Sequence, residues 1–142
     1  MSEQIKVEIK KMNFFYGKKQ AIFNLDLDIR ANEILSVFGP AGSGITTILR
    51  SVNRLTELIP GSFMEGDIQI DGKSVRDADV SLPELRRRVG MVFDVPTPLP
   101  MSIFDNIAYG PRLKGEKNKD ALSEIVEKTL KDAALWDEVK SV

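Results

Sequence analysis

EILSVFGPAGSGITTILRSVNRL, residues 33–55, is the stretch that decides the fold. Its apolar run at 34–38 lacks the alternation of a half-exposed strand, which predicts a central strand covered on both faces. A glycine-rich turn at 39–47 follows, and apolar residues at helical spacing then predict a helix that ends near residues 60–61. This order of strand, turn and helix directs backbone N–H groups and a helix N-terminus toward one anion.

The glycine-rich turn carries a candidate phosphate-binding loop of pattern G-x-x-x-x-G-K-[ST]. Gly39, Gly44 and Thr46 fit the pattern, whereas Ile45 stands where the pattern has lysine. The loop N–H groups would form a nest for an anion, and the Thr46 hydroxyl would ligate magnesium. A glycine-rich turn without a ligand is the alternative interpretation. The candidate phosphate-binding residues are Gly39, Gly42, Ser43, Gly44, Ile45, Thr46 and Thr47.

Isoleucine at position 45 supplies neither a hydrogen-bond donor nor a charge to a bound phosphate group. A charged hydrogen bond of the kind that lysine forms contributes on the order of 1.5–3 kcal/mol. Because the backbone nest does not depend on this side chain, we expect weakened nucleotide binding and a larger loss at phosphoryl transfer. Lys18 and Lys19, in the preceding aromatic turn, are candidates to compensate.

Composition narrows the class of protein. At 142 residues and 42% hydrophobic content, the chain has the size of one globular domain. Its 20 basic and 21 acidic residues leave a net charge of −1, which predicts no nucleic-acid partner. The absence of cysteine and histidine excludes disulfides, thiolate metal sites and imidazole bases. No apolar run reaches the roughly 18 residues of a membrane span, and the charged start predicts a cytoplasmic chain without a signal peptide.

The segments on either side of the loop predict an antiparallel β region. Alternating apolar and charged residues predict strands at 5–15 and 22–30, which we expect to pair with one face in solvent. A further exposed strand is predicted at 67–72, after a polar connection at 60–66.

The second half of the sequence predicts three helices and one more buried strand. A capping box at 81–84 precedes a short basic helix, Ser102 begins another, and residues 119 to about 136 form the last. Residues 89–93 form a second candidate central strand, with Asp94 at its carboxyl end. An apolar strand that ends in aspartate has the shape of a Walker B magnesium ligand, and a solvated loop carboxylate is the alternative.

Three features together carry a family resemblance: the aromatic turn at 14–17, the phosphate loop at 39–47 and the segment at 87–93. By these features the whole chain, residues 1–142, resembles the N-terminal portion of the ATP-binding domain of an ABC transporter. Two stretches, 58–66 and 96–113, are similar to those of the ATP-binding subunit of bacterial phosphate importers. The resemblance implies an α/β fold: a P-loop NTPase core of the ABC type, incomplete, with an N-terminal antiparallel β subdomain.

The resemblance implies ATP and Mg²⁺ as cofactors. Tyr16 looks like the aromatic residue that stacks on adenine, although its ring also suits the edge of the core beside Phe14. Asp94 occupies the position of the family's Q-loop glutamine, so the implied metal ligands are Thr46 and Asp94. Aspartate there adds negative charge near the phosphates, and together with Ile45 it indicates a degenerate site.

The implied function is the ATP-binding subunit of a phosphate importer, peripheral at the cytoplasmic face of the plasma membrane, which couples ATP binding and hydrolysis to transport. Its implied partners are ATP, membrane-spanning permease subunits and a second ATP-binding subunit in a homodimer. Two alternatives are a catalytically inactive nucleotide-binding or assembly module and another P-loop NTPase that uses Asp94 as its Walker B residue.

The sequence lacks several motifs that the family carries. The signature motif, the Walker B strand with its catalytic glutamate and the switch histidine do not occur in it, so no residue is assigned as catalytic. We therefore expect a fragment or truncated relative that is inactive alone. Uncovered central strands predict marginal stability, self-association or a partner.

Overall fold

The computed structural model describes residues 4–140 of the chain. It divides into two compact units, with the boundary between Val92 and Phe93. The first unit contains all the strands of the described residues, and the second is helical. No helix within residues 4–140 combines the length and the apolar character that a membrane crossing requires. The predicted α/β class is confirmed.

The first unit is built on an antiparallel sheet with the strand order β2-β1-β3-β4. Its strands are β1 (Ile5–Tyr16), β2 (Lys19–Arg30), β3 (Ser62–Ile70) and β4 (Lys73–Ser74). The predicted antiparallel pairing of 5–15 with 22–30 is confirmed. The predicted connection at 60–66 is wrong after residue 61, because Phe63 of β3 stacks on Phe15 of β1 at 4.5 Å between ring centroids and extends the pairing.

An irregularity in β1 decides which side chains enter the core of the first unit. The register shifts between Ile9 and Met12, and Lys11 adopts a left-handed φ of 47°. Both Ile9 and Met12 therefore face inward and are fully buried, although strict alternation would place them on opposite faces. Gly66 of β3 lies against this bulge at a φ of 83°, where a Cβ would clash with the carbonyl oxygens of Lys10 and Lys11.

Two helices and a 3₁₀ turn accompany the sheet: α1 (Ile45–Val52), the turn Leu55–Leu58 and α2 (Leu82–Arg88). Helix α1 ends at Val52 and not near residues 60–61 as predicted, because Arg54 takes a left-handed φ of 59°. Ser81 precedes α2, but within the described residues its side chain forms no capping hydrogen bond, so only the position of the predicted cap is confirmed. The buried core of this unit consists of Ile9, Met12, Phe14, Ile22, Ile68, Ile70, Val75 and Leu85.

The two predicted central strands, 34–38 and 89–93, are absent from the described part of the chain. Ile34, Phe38 and Val92 are 95%, 93% and 97% exposed. A strand requires a neighbour for its backbone N–H and C=O groups, and no strand between residues 4 and 140 pairs with either segment. The prediction is therefore wrong for both segments, because an apolar run without a strand partner does not form a ladder.

The second unit consists of α3 (Ile103–Leu113), α4 (Lys119–Asp132) and α5 (Trp136–Val139). Ser102 begins α3 as predicted, and its hydroxyl accepts a hydrogen bond from the Asp105 N–H at 3.0 Å. The helix predicted at 119–136 ends early, because Ala134 takes a left-handed φ of 57°. The buried core of this unit consists of Ala108, Leu122, Val126 and Leu130.

Candidate phosphate-binding site

The glycine-rich loop leads directly into the N-terminus of α1. Gly44 is the N-cap residue and has a left-handed φ of 91°. Ser43 donates its N–H to the carbonyl oxygen of Pro40 at 3.1 Å, which closes the turn. A Cβ on Gly44 would clash with the Ile22 side chain and lie 3.3 Å from the carbonyl oxygen of Ala21. The left-handed φ therefore favours glycine at this position, where β2 approaches the loop closely.

A hydrogen bond ties α1 to the aromatic turn at the end of β1. The hydroxyl oxygens of Tyr16 and Thr47 lie 2.8 Å apart. The Tyr16 ring packs edge-on against Phe14, with 5.0 Å between ring centroids, and Ser51 donates its hydroxyl to the Thr47 carbonyl at 2.7 Å. The core-edge packing expected for Tyr16 is thus observed, and stacking on adenine stays a prediction. Thr47 is buried with its hydroxyl engaged, whereas Thr46 is exposed.

The loop and the aromatic turn together line an open cavity of about 630 Å³. All seven predicted phosphate-binding residues line it, and so does Tyr16. The structure therefore brings together the two sequence motifs, which lie more than twenty residues apart in the chain. The complete lining is Tyr16, Lys19, Gln20, Ala21, Phe23, Gly39, Pro40, Ala41, Gly42, Ser43, Gly44, Ile45, Thr46 and Thr47.

Part of the lining comes from β2, which the motif pattern does not reveal. Lys19, Ala21 and Phe23 alternate along the strand, so a two-residue period places them on one face. That period is visible in the sequence, but only the register with β1, in which Tyr16 pairs with Lys19, brings this face to the loop. Phe23 is 70% exposed and is the second aromatic side chain in the lining.

The charge of the cavity suits an anion. Among its described lining residues Lys19 carries the only charge, and no carboxylate is present. The first turn of α1 also lacks acidic residues, so nothing in that turn neutralises the positive end of the helix dipole. Glycine backbone, helix N-terminus and one cation form a cradle that fits phosphate groups.

Ile45 is the first residue of α1, and its side chain folds back over the start of the loop. A Cβ built on Gly39 would lie 3.4 Å from the Ile45 Cδ1 atom and 3.1 Å from the Ser43 hydroxyl oxygen. At the position where the motif carries lysine, the chain therefore has an apolar side chain whose methyl group lies near Gly39. The loop geometry is formed, but its side-chain cation is missing.

Asp94 belongs to the second unit, and among the described residues it does not follow a β-strand. The residue is exposed and lies in a segment without regular secondary structure. The Walker B interpretation required a strand at 89–93, and that strand is absent from the described residues. Within residues 4–140 no cluster of three or more acidic side chains is arranged to hold a metal ion. The metal-binding roles of Asp94 and Thr46 stay predictions.

Loop, helix and sheet define a class: an α/β protein whose glycine-rich loop follows the phosphate-binding pattern at Gly39, Gly44 and Thr46. A family profile described as ABC transporter matches residues 22–141, which is most of the chain. The chain therefore belongs to the ABC transporter family. The family resemblance predicted from the aromatic turn and the phosphate loop is confirmed.

The chain is also similar to a curated relative over almost all of its own length. The chain is 50% identical over 135 residues to the phosphate import ATP-binding protein PstB of Thermotoga maritima. The match covers 95% of this chain and 54% of that protein. The chain thus spans about half the length of this relative.

Solved structures support the same fold. A bacterial Atm1-family ABC exporter with ATP bound matches with a TM-score of 0.76 and 25% identity, over all of this chain and 23% of the exporter chain. The cbiO1 protein of Clostridium perfringens, part of the ABC transporter complex cbiONQ, matches with a TM-score of 0.72 and 21% identity, over 91% of this chain and 50% of that one. The second likeness concerns the fold alone. The predicted incomplete ABC-type core is confirmed.

Proposed function

We propose that the chain is the nucleotide-cradle part of the ATP-binding subunit of an ABC importer for inorganic phosphate. The observation that carries the proposal is the cavity that the aromatic turn and the glycine-rich loop line together. Lys19 is the one charged residue of its described lining. The 50% identity to a phosphate import ATP-binding protein supports the phosphate-import branch of the family. In this role the chain works at the cytoplasmic face of the membrane, with permease subunits and a second ATP-binding subunit as partners.

The residues of the cradle fit ATP and Mg²⁺. The N–H groups of the loop and of the first turn of α1 would hold the phosphates, and the exposed Thr46 hydroxyl would ligate Mg²⁺. Tyr16 would position the base, because its hydroxyl bond to Thr47 fixes the ring beside the loop. Bound ATP would supply a transferable phosphoryl group. No residue of the chain is assigned as catalytic.

A second candidate function is a nucleotide-binding module without hydrolysis. The observation in its favour is the Ile45 side chain, which puts a methyl group near Gly39 and offers no charge to stabilise phosphoryl transfer. Release of inorganic phosphate from MgATP by the chain together with its permease partners would support the importer. Tight binding without phosphate release would support the module.

Titration with a fluorescent ATP analogue in Mg²⁺ tests nucleotide binding, which both candidate functions require. We expect saturable binding that unlabelled ATP reverses. Thr46→Ala should weaken binding about fivefold in Mg²⁺ and leave it unchanged in EDTA, because the variant removes a metal ligand.

The matched control is Thr129→Ala in α4, where the Thr129 hydroxyl donates to the Ile125 carbonyl of its own helix at 2.8 Å. This variant should bind the analogue as the native chain does. Fluorescence that unlabelled ATP does not reverse would contradict the proposed nucleotide site.

A further inference from the structure

The cradle has a deficit of positive charge that one side chain outside the loop is placed to offset. Ile45 removes the cation of the loop, and Lys19 is the only charged residue among the described residues that line the cavity. Between residues 4 and 140 Lys19 forms no ion pair. Its ammonium group is therefore available to an anion.

The position of Lys19 follows from the strand pairing. Lys19 is the first residue of β2 and pairs with Tyr16 across a tight turn in which Gly17 has a φ of 57°. It lies on the same strand face as Ala21, whose carbonyl oxygen lies close to Gly44 of the loop. Lysine carries its charge on a flexible four-carbon stem with three donors, which suits contact with a phosphate chain.

We propose that Lys19 binds the phosphate chain of a nucleoside di- or triphosphate and supplies the charge that Ile45 does not. The inference rests on the proposed nucleotide-binding function and assigns a binding residue that lies outside the loop motif. The neighbouring Lys18 has the same chemistry but does not line the cavity. A substitution of Lys18 therefore distinguishes a specific contact made by Lys19 from the general effect of positive charge near the site.

Paired substitutions test the proposal by titration with the fluorescent ATP analogue in Mg²⁺. Lys19→Met should raise the Kd about tenfold, because it removes a charged hydrogen bond. Lys18→Met should raise the Kd less than about twofold, since an exposed charge off the site contributes little. Lys19→Arg should bind within about threefold of the native chain, because it keeps the charge.

The same substitution in a chain that also carries Ile45→Lys shows whether Lys19 replaces the missing loop lysine. In a chain with Ile45→Lys the loop again carries its own cation, so Lys19→Met should raise the Kd less than about twofold there. A tenfold effect in both backgrounds would overturn the proposal, because the two positions would then act independently. Binding that appears only with Ile45→Lys would also overturn it.

Different experimental results would contradict this inference and the proposed function. If neither the native chain nor the Ile45→Lys variant binds ATP, the nucleotide site itself is wrong. If the native chain binds ATP and Lys19→Met behaves as Lys18→Met does, the nucleotide site stands and the role of Lys19 is wrong. Equal melting temperatures for the two methionine variants confirm that both comparisons concern folded protein.

Discussion

The paired strands of the first unit and the segments at 34–38 and 89–93 are all rich in apolar residues, but they differ in burial. Strands β1, β2 and β3 form a hydrogen-bonded sheet over a buried core. The two segments are also rich in apolar residues, yet Phe38 and Val92 are almost fully exposed. The difference teaches that apolar character becomes burial only where a neighbouring element pairs with the strand backbone and covers the side chains.

The comparison predicts that the same substitution, phenylalanine to alanine, destabilises the protein strongly in a paired strand and very little in an exposed segment. Phe14→Ala should lower the free energy of unfolding by about 3–5 kcal/mol, because the ring is 1% exposed in the core. Phe38→Ala should change it by less than about 0.5 kcal/mol, because that ring is 93% exposed. Urea unfolding followed by circular dichroism measures both values. Equal losses would mean that Phe38 is buried in solution and would break the comparison.

Glycine substitutions sharpen the comparison at the level of the backbone. Gly66→Ala should cost about 1–3 kcal/mol, because residue 66 has a φ of 83° and a Cβ there meets the carbonyls of the β1 bulge. Gly90→Ala should be neutral or slightly stabilising, since a Cβ at residue 90 meets no atom within 4 Å. The same urea experiment measures both effects. A neutral Gly66→Ala would contradict the tight pairing of β1 with β3.

The exposed apolar side chains of the segments at 34–38 and 89–93 predict self-association. The buried apolar side chains of the paired strands do not. Val92 is 97% exposed, so its apolar side chain can be covered by a second copy. Val92→Glu should weaken association about tenfold, because it removes an apolar contact and adds a charge. Sedimentation over a range of protein concentrations measures the association constant. A native chain that sediments as a monomer at every concentration would contradict this prediction.

The sequence predicts the loop better than it predicts the surroundings of the loop. The spacing of Gly39, Gly44 and Thr46 identifies the turn and the start of α1, because the backbone angles of such a loop depend on glycine at fixed positions. The role of β2 in the cavity depends on strand register, which local pattern does not determine. Lys19 and Phe23 therefore reach the site only once the pairing with β1 is known.

Local backbone events also limit what the sequence predicts about the fold. Alternation identifies β1 and β2, but the bulge at Lys11 places Ile9 and Met12 on one face against that alternation. The helix predicted to 136 ends where Ala134 takes a positive φ, although alanine is a good helix former. Central strands are overpredicted because apolar runs indicate burial without identifying the partner that provides it.

The smallest predicted effect concerns the pH dependence of the paired region. Partial burial of Asp67 opposes its ionisation, but hydrogen bonds from Ser74, at 2.6 Å, and from Gln69 hold the pKa of this carboxyl below its usual range. A lowered folded-state pKa contributes stability above about pH 4, the pKa of unfolded aspartate, and this contribution is lost as the pH falls through the folded-state value. The contribution should stay below about 1 kcal/mol, because the side chain is only partly buried.

Asp67→Asn removes this titration and tests its assignment to the β3–β4 hairpin. The variant should show a shallower fall in unfolding free energy below about pH 4 than the native chain. Asp28→Asn on β2 is the matched control for the loss of one carboxylate, because no side-chain hydrogen bond to Asp28 occurs among the described residues. Parallel slopes for the native chain and Asp67→Asn would place the acid sensitivity elsewhere. The exposed segments at 34–38 and 89–93 contain no titratable side chain, so they contribute no acid sensitivity of their own.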